Sequence, residues 1–180
     1  MAMTIDGTNG VTFPDASLQT KGVPSYVRQL AQTVIFTTGA AALGTTAIPA
    51  DNTIPQSNEG DQFMSLAITP VSATSTLVID VVLYGNETSN TSNYGAVSLF
   101  RDAGTDALKT GCICLQFTGG GGAPLGIIHQ EQVSGSTATT TFKVRAGSET
   151  TSGFQFNGGY IGQLYGGTLS SFITIKEYLA

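Results

Sequence analysis

The chain has 180 residues, a net charge of −5 and only 11% charged side chains against 41% hydrophobic ones. This composition is too apolar for a disordered chain, and its 23 glycines with frequent Ser and Thr indicate an all-β protein with many turns. The seven basic residues are scattered, which argues against a nucleic-acid partner. Because we find neither a bilayer-length apolar run nor a secretory signal, we expect no membrane insertion.

The first predicted element is a small β unit over residues 3–20. Its stretch "TIDGTNGVTF" places an Asp-Gly and an Asn-Gly turn signal between two β-type pieces, which indicates a hairpin. A unit of this size cannot bury a core of its own, so we expect it to pack on another chain or another protein. We therefore assign residues 1–24 to an N-terminal anchor segment and residues 25–180 to one head domain.

The stretch "PSYVRQLAQTVIF" could begin as a helix at Pro24 or Ser25 or could be extended, and we favour a strand from about Gln32 to Thr37. A loop is predicted over residues 38–62, which are rich in Ala, Gly, Thr, Pro and Asn. The strongest strand signal follows in "STLVIDVVLYG". One face of this strand is fully apolar and the other only half apolar, a pattern typical of a sandwich core strand that also meets a second surface. The first face holds Leu77, Ile79, Val81 and Leu83, and the second holds Val78, Asp80, Val82 and Tyr84.

Further strand signals repeat at short spacing to the end of the chain, separated by turns rich in Gly and Asn. Residues 86–93 and the "TGGGGAP" segment are predicted loops. The pattern predicts an antiparallel β-sandwich of the jelly-roll type. The remaining strand signals are "FMSLAITP", "YGAVSLFRD", "GCICLQF", "LGIIHQEQV", "ATTTFKVRAGS", "GFQFNGGY" and "SSFITIKEYL".

Residues that could carry chemistry are few. His129 is the single histidine, and because it lies in a strand-like run with no GxSxG elbow in the chain, we interpret it as an ordinary strand residue. Asp102 and Asp106 flank one turn and could bind calcium, although such sites usually gather more oxygen ligands. The "GGGG" run has no Lys after it, so it predicts a mobile loop and not a phosphate cradle. We expect no catalytic residue, no metal and no cofactor.

Cys112 and Cys114 are the only two cysteines. Residues two apart on a strand point to the same face, and a bond between them would need unusual geometry. We interpret them as two small buried thiols.

Three segments resemble phage and prophage tail-fibre-type proteins. "TIDGTNGVTFPDASLQT" resembles a short segment near the start of such proteins, and "IPQSNEGDQFMSLAITPVSATSTLVIDV" is similar to the first core strands of their small β-sandwich head. "TTTFKVRAGS", "FNGG" and "LYGGTLSSFITIKEYLA" resemble the terminal block of that head. The resemblance implies a homotrimeric virion protein, made in the host cytoplasm, with a jelly-roll head similar to the C1q and tumour-necrosis-factor type.

The resemblance also implies roles for particular residues. The N-terminal segment would join other virion proteins through Ile5, Val11, Phe13, Pro14 and Leu18. In the last strand, Ile173 and Ile175 would face the core, while Phe172 and Tyr178 would meet neighbouring subunits. Loops 86–94 and 118–124 would face a host glycan or surface protein, with Asn90, Asn93, Tyr94, Gly120 and Gly121 as candidate contacts.

Two functions remain open from the sequence. The first is a short trimeric tail fibre or appendage whose head binds the host surface, with weak single contacts strengthened by three copies. The second is a capsid decoration or cement protein, or another tail or baseplate assembly protein, with no receptor role. An enzyme that degrades surface polysaccharide ranks last, because we find no pair of carboxylates that indicates a catalytic cleft.

Overall fold

The structure is a computed structural model that describes residues 4–6, 10–12, 18–19, 28–88, 93–115, 122–151, 153–159 and 162–180. The chain divides into two compact units, one of residues 1–29 with Ala180 and one of residues 30–179. The boundary that we predicted at residue 24 lies outside the described residues.

The N-terminal unit contains three short strands in one antiparallel sheet of order β1-β2-β3. The strands are β1 (Thr4–Asp6), β2 (Gly10–Thr12) and β3 (Leu18–Gln19). Ile5 pairs with Val11 across the first two strands, so the hairpin predicted from the two turn signals is confirmed.

The second unit is built from strands of very different length, and its described residues include a single 3-10 turn at Tyr165–Gly167. The long strands alternate between buried and exposed positions, as half-buried sheets require. The strands are β4 (Gln29–Thr38), β5 (Ala42–Gly44), β6 (Asp61–Ile68), β7 (Thr76–Glu87), β8 (Asn93–Arg101), β9 (Lys109–Leu115), β10 (Leu125–Val133), β11 (Thr140–Ser148), β12 (Phe154–Phe156), β13 (Gly158–Gly159), β14 (Gly162–Gln163) and β15 (Ser171–Leu179).

Ten of these strands form a sandwich of two antiparallel sheets, and β13 pairs with β14 in a separate two-stranded sheet. Sheet I has the order β4-β15-β7-β12-β5, and β10 pairs with the first part of β7. Sheet II has the order β6-β11-β8-β9. The chain passes from one sheet to the other after β5, β6, β7, β9, β10 and β11, which is the connectivity of a jelly roll. The predicted all-β sandwich is thus confirmed.

The core lies between the two sheets and is centred on β7. The four residues of its predicted apolar face are completely buried, as are the inward residues of β11 and β15 (Leu77, Ile79, Val81, Leu83, Phe142, Val144, Ala146, Ile173 and Ile175). Each such Leu or Ile contributes about 1.5–3 kcal/mol relative to an exposed position. On the other face of β7, Asp80, Val82 and Tyr84 are only half-buried, in agreement with the predicted second surface.

Two predicted loops are wrong in part. The segment 38–62 contains β5, which pairs with β12 more than a hundred residues later, and Ile48 of this segment is buried. The segment 86–93 begins inside β7, where Asn86 and Glu87 are buried, while residues 89–92 lie outside the described residues. In both cases a partner strand distant in the sequence recruits residues whose local composition is that of a loop.

The predicted burial of the cysteines is wrong for Cys112, whose side chain is exposed. Its neighbour Ile113 takes the inward position and is buried, so the alternation of the strand turns Cys112 outward. The side chain of Cys114 is not among those described.

Candidate interaction surfaces

The last strand lies in the middle of sheet I, between β4 and β7. Ile173 and Ile175 pair with Val81 and Ile79 of β7, and both isoleucines are fully buried in the core, as expected. Phe172 and Tyr178 alternate with them, point to the opposite face and are half-buried. Their contact with neighbouring subunits stays a prediction.

The side of sheet I that points away from the core, which we call the outer face, carries rows of apolar side chains. The register places Ile127, Val82 and Phe172 side by side across β10, β7 and β15. In a second row, Val133 of β10 and Tyr178 of β15 lie on either side of Thr76 of β7, with which both are paired. The side chains of Ile127 and Val133 are each 60% exposed. Two large apolar side chains exposed on the same sheet face form a patch of the kind that often marks an interaction site.

The two sides of the outer face end in different apolar strands. On one side, β10 exposes Leu125 next to Tyr84 of β7. On the other side lies β4, where Val34 packs against the core and the adjacent Ile35 therefore points outward with 63% exposure. The outer face thus has two unlike apolar margins.

A polar cluster interrupts the apolar rows. His129 Nδ1 lies 2.7 Å from Asp80 Oδ1, and Lys176 Nζ lies 3.4 Å from the other carboxylate oxygen of Asp80. The second ring nitrogen of His129 lies 3.8 Å from Glu131. Because these groups are largely solvated, the pairs contribute at most about 1 kcal/mol each in the isolated chain.

The described partners of His129 are carboxylates. Among the described residues no serine, threonine or cysteine side chain is hydrogen-bonded to His129, as a nucleophile would be. The described part of the chain also contains no group of three His, Cys, Asp or Glu side chains that could hold a metal ion. Asp102, one of the calcium candidates, instead accepts hydrogen bonds from Thr140 and Thr141.

The predicted host-facing residues are only partly described. Asn90, Gly120 and Gly121 lie outside the described residues, and Asn93 begins β8. Tyr94 is 56% exposed and lines a groove of about 290 Å³. The groove was not predicted, because its opposite wall is formed by residues 48–55, which are distant from Tyr94 in the sequence. Its other lining residues include Pro49, Asp51, Thr53, Thr110 and Cys112.

The carboxylate of Asp51 is a fixed acceptor at this groove. The side chain and the backbone N–H of Thr53 both donate to it, and these hydrogen bonds hold the pKa of Asp51 below its usual range. The groove therefore combines an exposed aromatic ring with an ionised acceptor, a combination that suits adaptable polar contacts.

The predicted anchor residues lie in the N-terminal unit. Ile5, Val11 and Leu18 belong to β1, β2 and β3, and Phe13 and Pro14 lie outside the described residues. Their attachment role stays a prediction.

Glu177 is a buried carboxylate that the sequence interpretation missed. It occupies an inward position of β15 and is completely buried. Burial raises its pKa, but hydrogen bonds from Gln32, Ser75 and the backbone of Val71 and Ser72 outweigh burial and hold the pKa below its usual range. An acidic residue at an inward position of an alternating strand is the signal that could have identified it.

No family model matches the sequence, and no curated protein is similar to it. Among solved structures, the VP2 protein of infectious bursal disease virus, in the crystal structure of its subviral particle, is similar with a TM-score of 0.35 and 11% identity. The match covers 96% of this chain and 44% of that one, so the chain spans less than half of the viral protein. No helix in the described residues is long and apolar enough to cross a membrane.

Proposed function

We propose that this protein is a non-enzymatic structural protein of a phage particle. In this proposal it is a short homotrimeric tail fibre or appendage, which attaches through residues 1–24 and presents the jelly-roll head to the host surface. The proposal is supported by the resemblance of three segments, in the same order, to tail-fibre-type proteins. The observation that carries it is the exposed apolar outer face of sheet I.

The two unlike apolar margins of the outer face suit a contact in which one margin of a subunit meets the other margin of its neighbour. A twofold interface joins identical patches, whereas the margins formed by β4 and β10 differ and each exposes apolar side chains. Contact between unlike margins is heterologous, and such contacts close into a ring when the rotation allows it. The resemblance implies that the ring has three members.

Burial of the outer face would supply the free energy of association. Ile35 and Ile127 are each at least 60% exposed, so covering them contributes roughly 1–2 kcal/mol per side chain and per contact. The His129–Asp80 cluster would lie within this apolar area and favour one register, because mispaired charges there are costly.

The oligomeric state tests this interface. We expect light scattering to give three times the chain mass of 18.5 kDa for the wild type, and a folded monomer for Ile127→Asp. The substitution replaces an exposed side chain, so the head should fold while the interface gains an unpaired charge. The matched control is Ile54→Asp, at a position 56% exposed in a loop outside both sheets, and it should remain trimeric. A monomeric wild type, or a trimeric Ile127→Asp, would contradict the proposal.

The location on the particle separates host attachment from capsid decoration. A cryo-EM map of the parent particle should show the chain at the tail tip or baseplate, with the head pointing outward. Density on the capsid lattice would instead assign a decoration or cement role and remove the proposed host contact.

A further inference from the structure

A second cavity, which we call the β11 cavity, lies on the outside of sheet II. It has a volume of about 160 Å³ and opens between the turn after β8 and the segment before β6. Two of the seven basic residues of the chain line it, although the net charge is −5. The lining consists of Ser57, Gln62, Phe100, Asp102, Ala103, Gly104, Lys143 and Arg145.

The fold holds these two cations side by side. Lys143 and Arg145 alternate along β11 with the buried Phe142 and Val144, so both point away from the core. The opposite wall is fixed by backbone hydrogen bonds between the two loops, from Ser57 N to the Thr105 carbonyl (2.7 Å) and from Ala107 N to the Pro55 carbonyl (2.9 Å). These two hydrogen bonds hold the two loops together at the wall of the cavity.

Neither cation of the β11 cavity forms a salt bridge with a carboxylate among the described residues, although Lys143 lies close enough to Asp102 to interact with its charge. Lys143 Nζ donates to the carbonyl of Asp102 (2.7 Å). The Arg145 guanidinium donates to the carbonyls of Glu59 (2.8 Å) and Gly60 (2.6 Å). These acceptors are uncharged, and they leave Nη1 of Arg145 and two ammonium hydrogens of Lys143 without an acceptor that the described residues provide.

The carboxylate on the wall of the cavity is already engaged. Asp102 accepts hydrogen bonds from Thr140 Oγ1 (2.8 Å) and Thr141 N (2.7 Å), and it lies 3.6 Å from the guanidinium of Arg101. Arg101 and Lys143 both interact with the charge of Asp102, so the single carboxylate among the lining residues lies beside three cations, the third of which is Arg145.

We propose that the β11 cavity binds the oxyanion of an acidic saccharide, a carboxylate or a phosphate group, between Lys143 and Arg145. Charge-assisted hydrogen bonds from a guanidinium and an ammonium are the contacts that such oxyanions prefer. Ser57 and Gln62 line the same cavity and supply hydroxyl and amide groups for sugar hydroxyls. The assignment of the oxyanion to a saccharide rests on the proposed function, in which the head contacts the host surface.

The binding test uses the full chain and defined monosaccharides. We expect titration calorimetry to show glucuronate or glucose 1-phosphate binding with a Kd of roughly 1 mM, since two partly exposed charge-assisted contacts supply modest affinity. Binding of glucuronate alone would identify a carboxylate ligand, and binding of glucose 1-phosphate alone a phosphate ligand. Neutral glucose should not bind. Absence of binding by both acids would overturn the proposal.

Two variants locate the binding. Lys143→Gln should weaken acid binding about tenfold, because it removes one charge-assisted contact and leaves the backbone contacts of Arg145 intact. Lys109→Gln on β9 makes the same charge change away from the cavity and should bind like the wild type. Thermal unfolding checks that both variants are folded. Equal weakening by the two variants would show a non-specific charge effect and overturn the site.

A host-cell adsorption assay separates this site from the proposed function. Binding of the acids that is reduced by Lys143→Gln would support the site. This conclusion would hold even if the wild-type protein did not adsorb to host cells. In that case the host-attachment role fails. If the wild type adsorbs but no acid binds, the role stands and the site is wrong.

Discussion

Replacement of Glu177 tests how a buried carboxylate holds this sandwich together. Its Oε1 accepts from Ser75 Oγ (2.5 Å), Val71 N (2.8 Å) and Ser72 N (3.3 Å), and its Oε2 accepts from Gln32 Nε2 (2.6 Å). These contacts tie β15 to β4 and to the segment between β6 and β7. Glu177→Gln keeps the shape but turns an NH₂ group toward groups that are themselves donors.

The expected cost follows from the number of donors that lose their acceptor. At least one buried N–H or O–H is left unpaired, and the remaining hydrogen bonds lose the charge of the carboxylate. Together these losses should lower the free energy of unfolding by about 3 kcal/mol. For a chain of this size the melting temperature should fall by roughly 6–12 °C.

Chemical denaturation at several pH values provides the measurement. Because the pKa of Glu177 is lowered in the folded state, its stabilisation is present above the usual carboxyl pKa and is lost as the pH falls through the lowered value. The difference in the free energy of unfolding between the wild type and Glu177→Gln should therefore be largest at neutral pH and should disappear in acid. The control is Asp106→Asn, which replaces an exposed carboxylate whose hydrogen-bond donor among the described residues is Thr105, and it should cost under about 0.5 kcal/mol. If Glu177→Gln costs no more than this control, the assigned hydrogen bonds do not stabilise the fold.

Three further predictions address the core, the anchor and the surface. Ile175→Asp should prevent folding of the head, because an unpaired charge in the completely buried core costs several kcal/mol, and recovery of soluble, folded protein would refute it. Deletion of residues 1–20 should leave a folded trimeric head that no longer joins the particle, which quantitative mass spectrometry of purified virions would measure; incorporation at normal levels would contradict the anchor role. Cys112 should react with a maleimide in the native protein at nearly the rate found after unfolding, since its side chain is exposed. Protection of this thiol would show that the outward direction of Cys112 is wrong.

The elements of this protein follow from local sequence patterns. The strand signal in "LGIIHQEQV" coincides with β10, and alternation in "STLVIDVVLYG" predicted which residues of β7 enter the core. The turn signals in the N-terminal segment predicted its first hairpin. These features were predictable because strand periodicity and turn chemistry depend on neighbouring residues.

The surfaces depended on the tertiary structure. β5 is a strand only because β12 pairs with it, and Cys112 is exposed because its strand lies at the margin of sheet II with Ile113 turned inward. The β11 cavity joins Lys143 and Arg145 to a turn forty residues earlier in the chain and to Ser57. Local composition could show that two cations are close in sequence. Only the packing of distant loops over sheet II decided that they line one cavity, because pairing between distant segments leaves no local pattern.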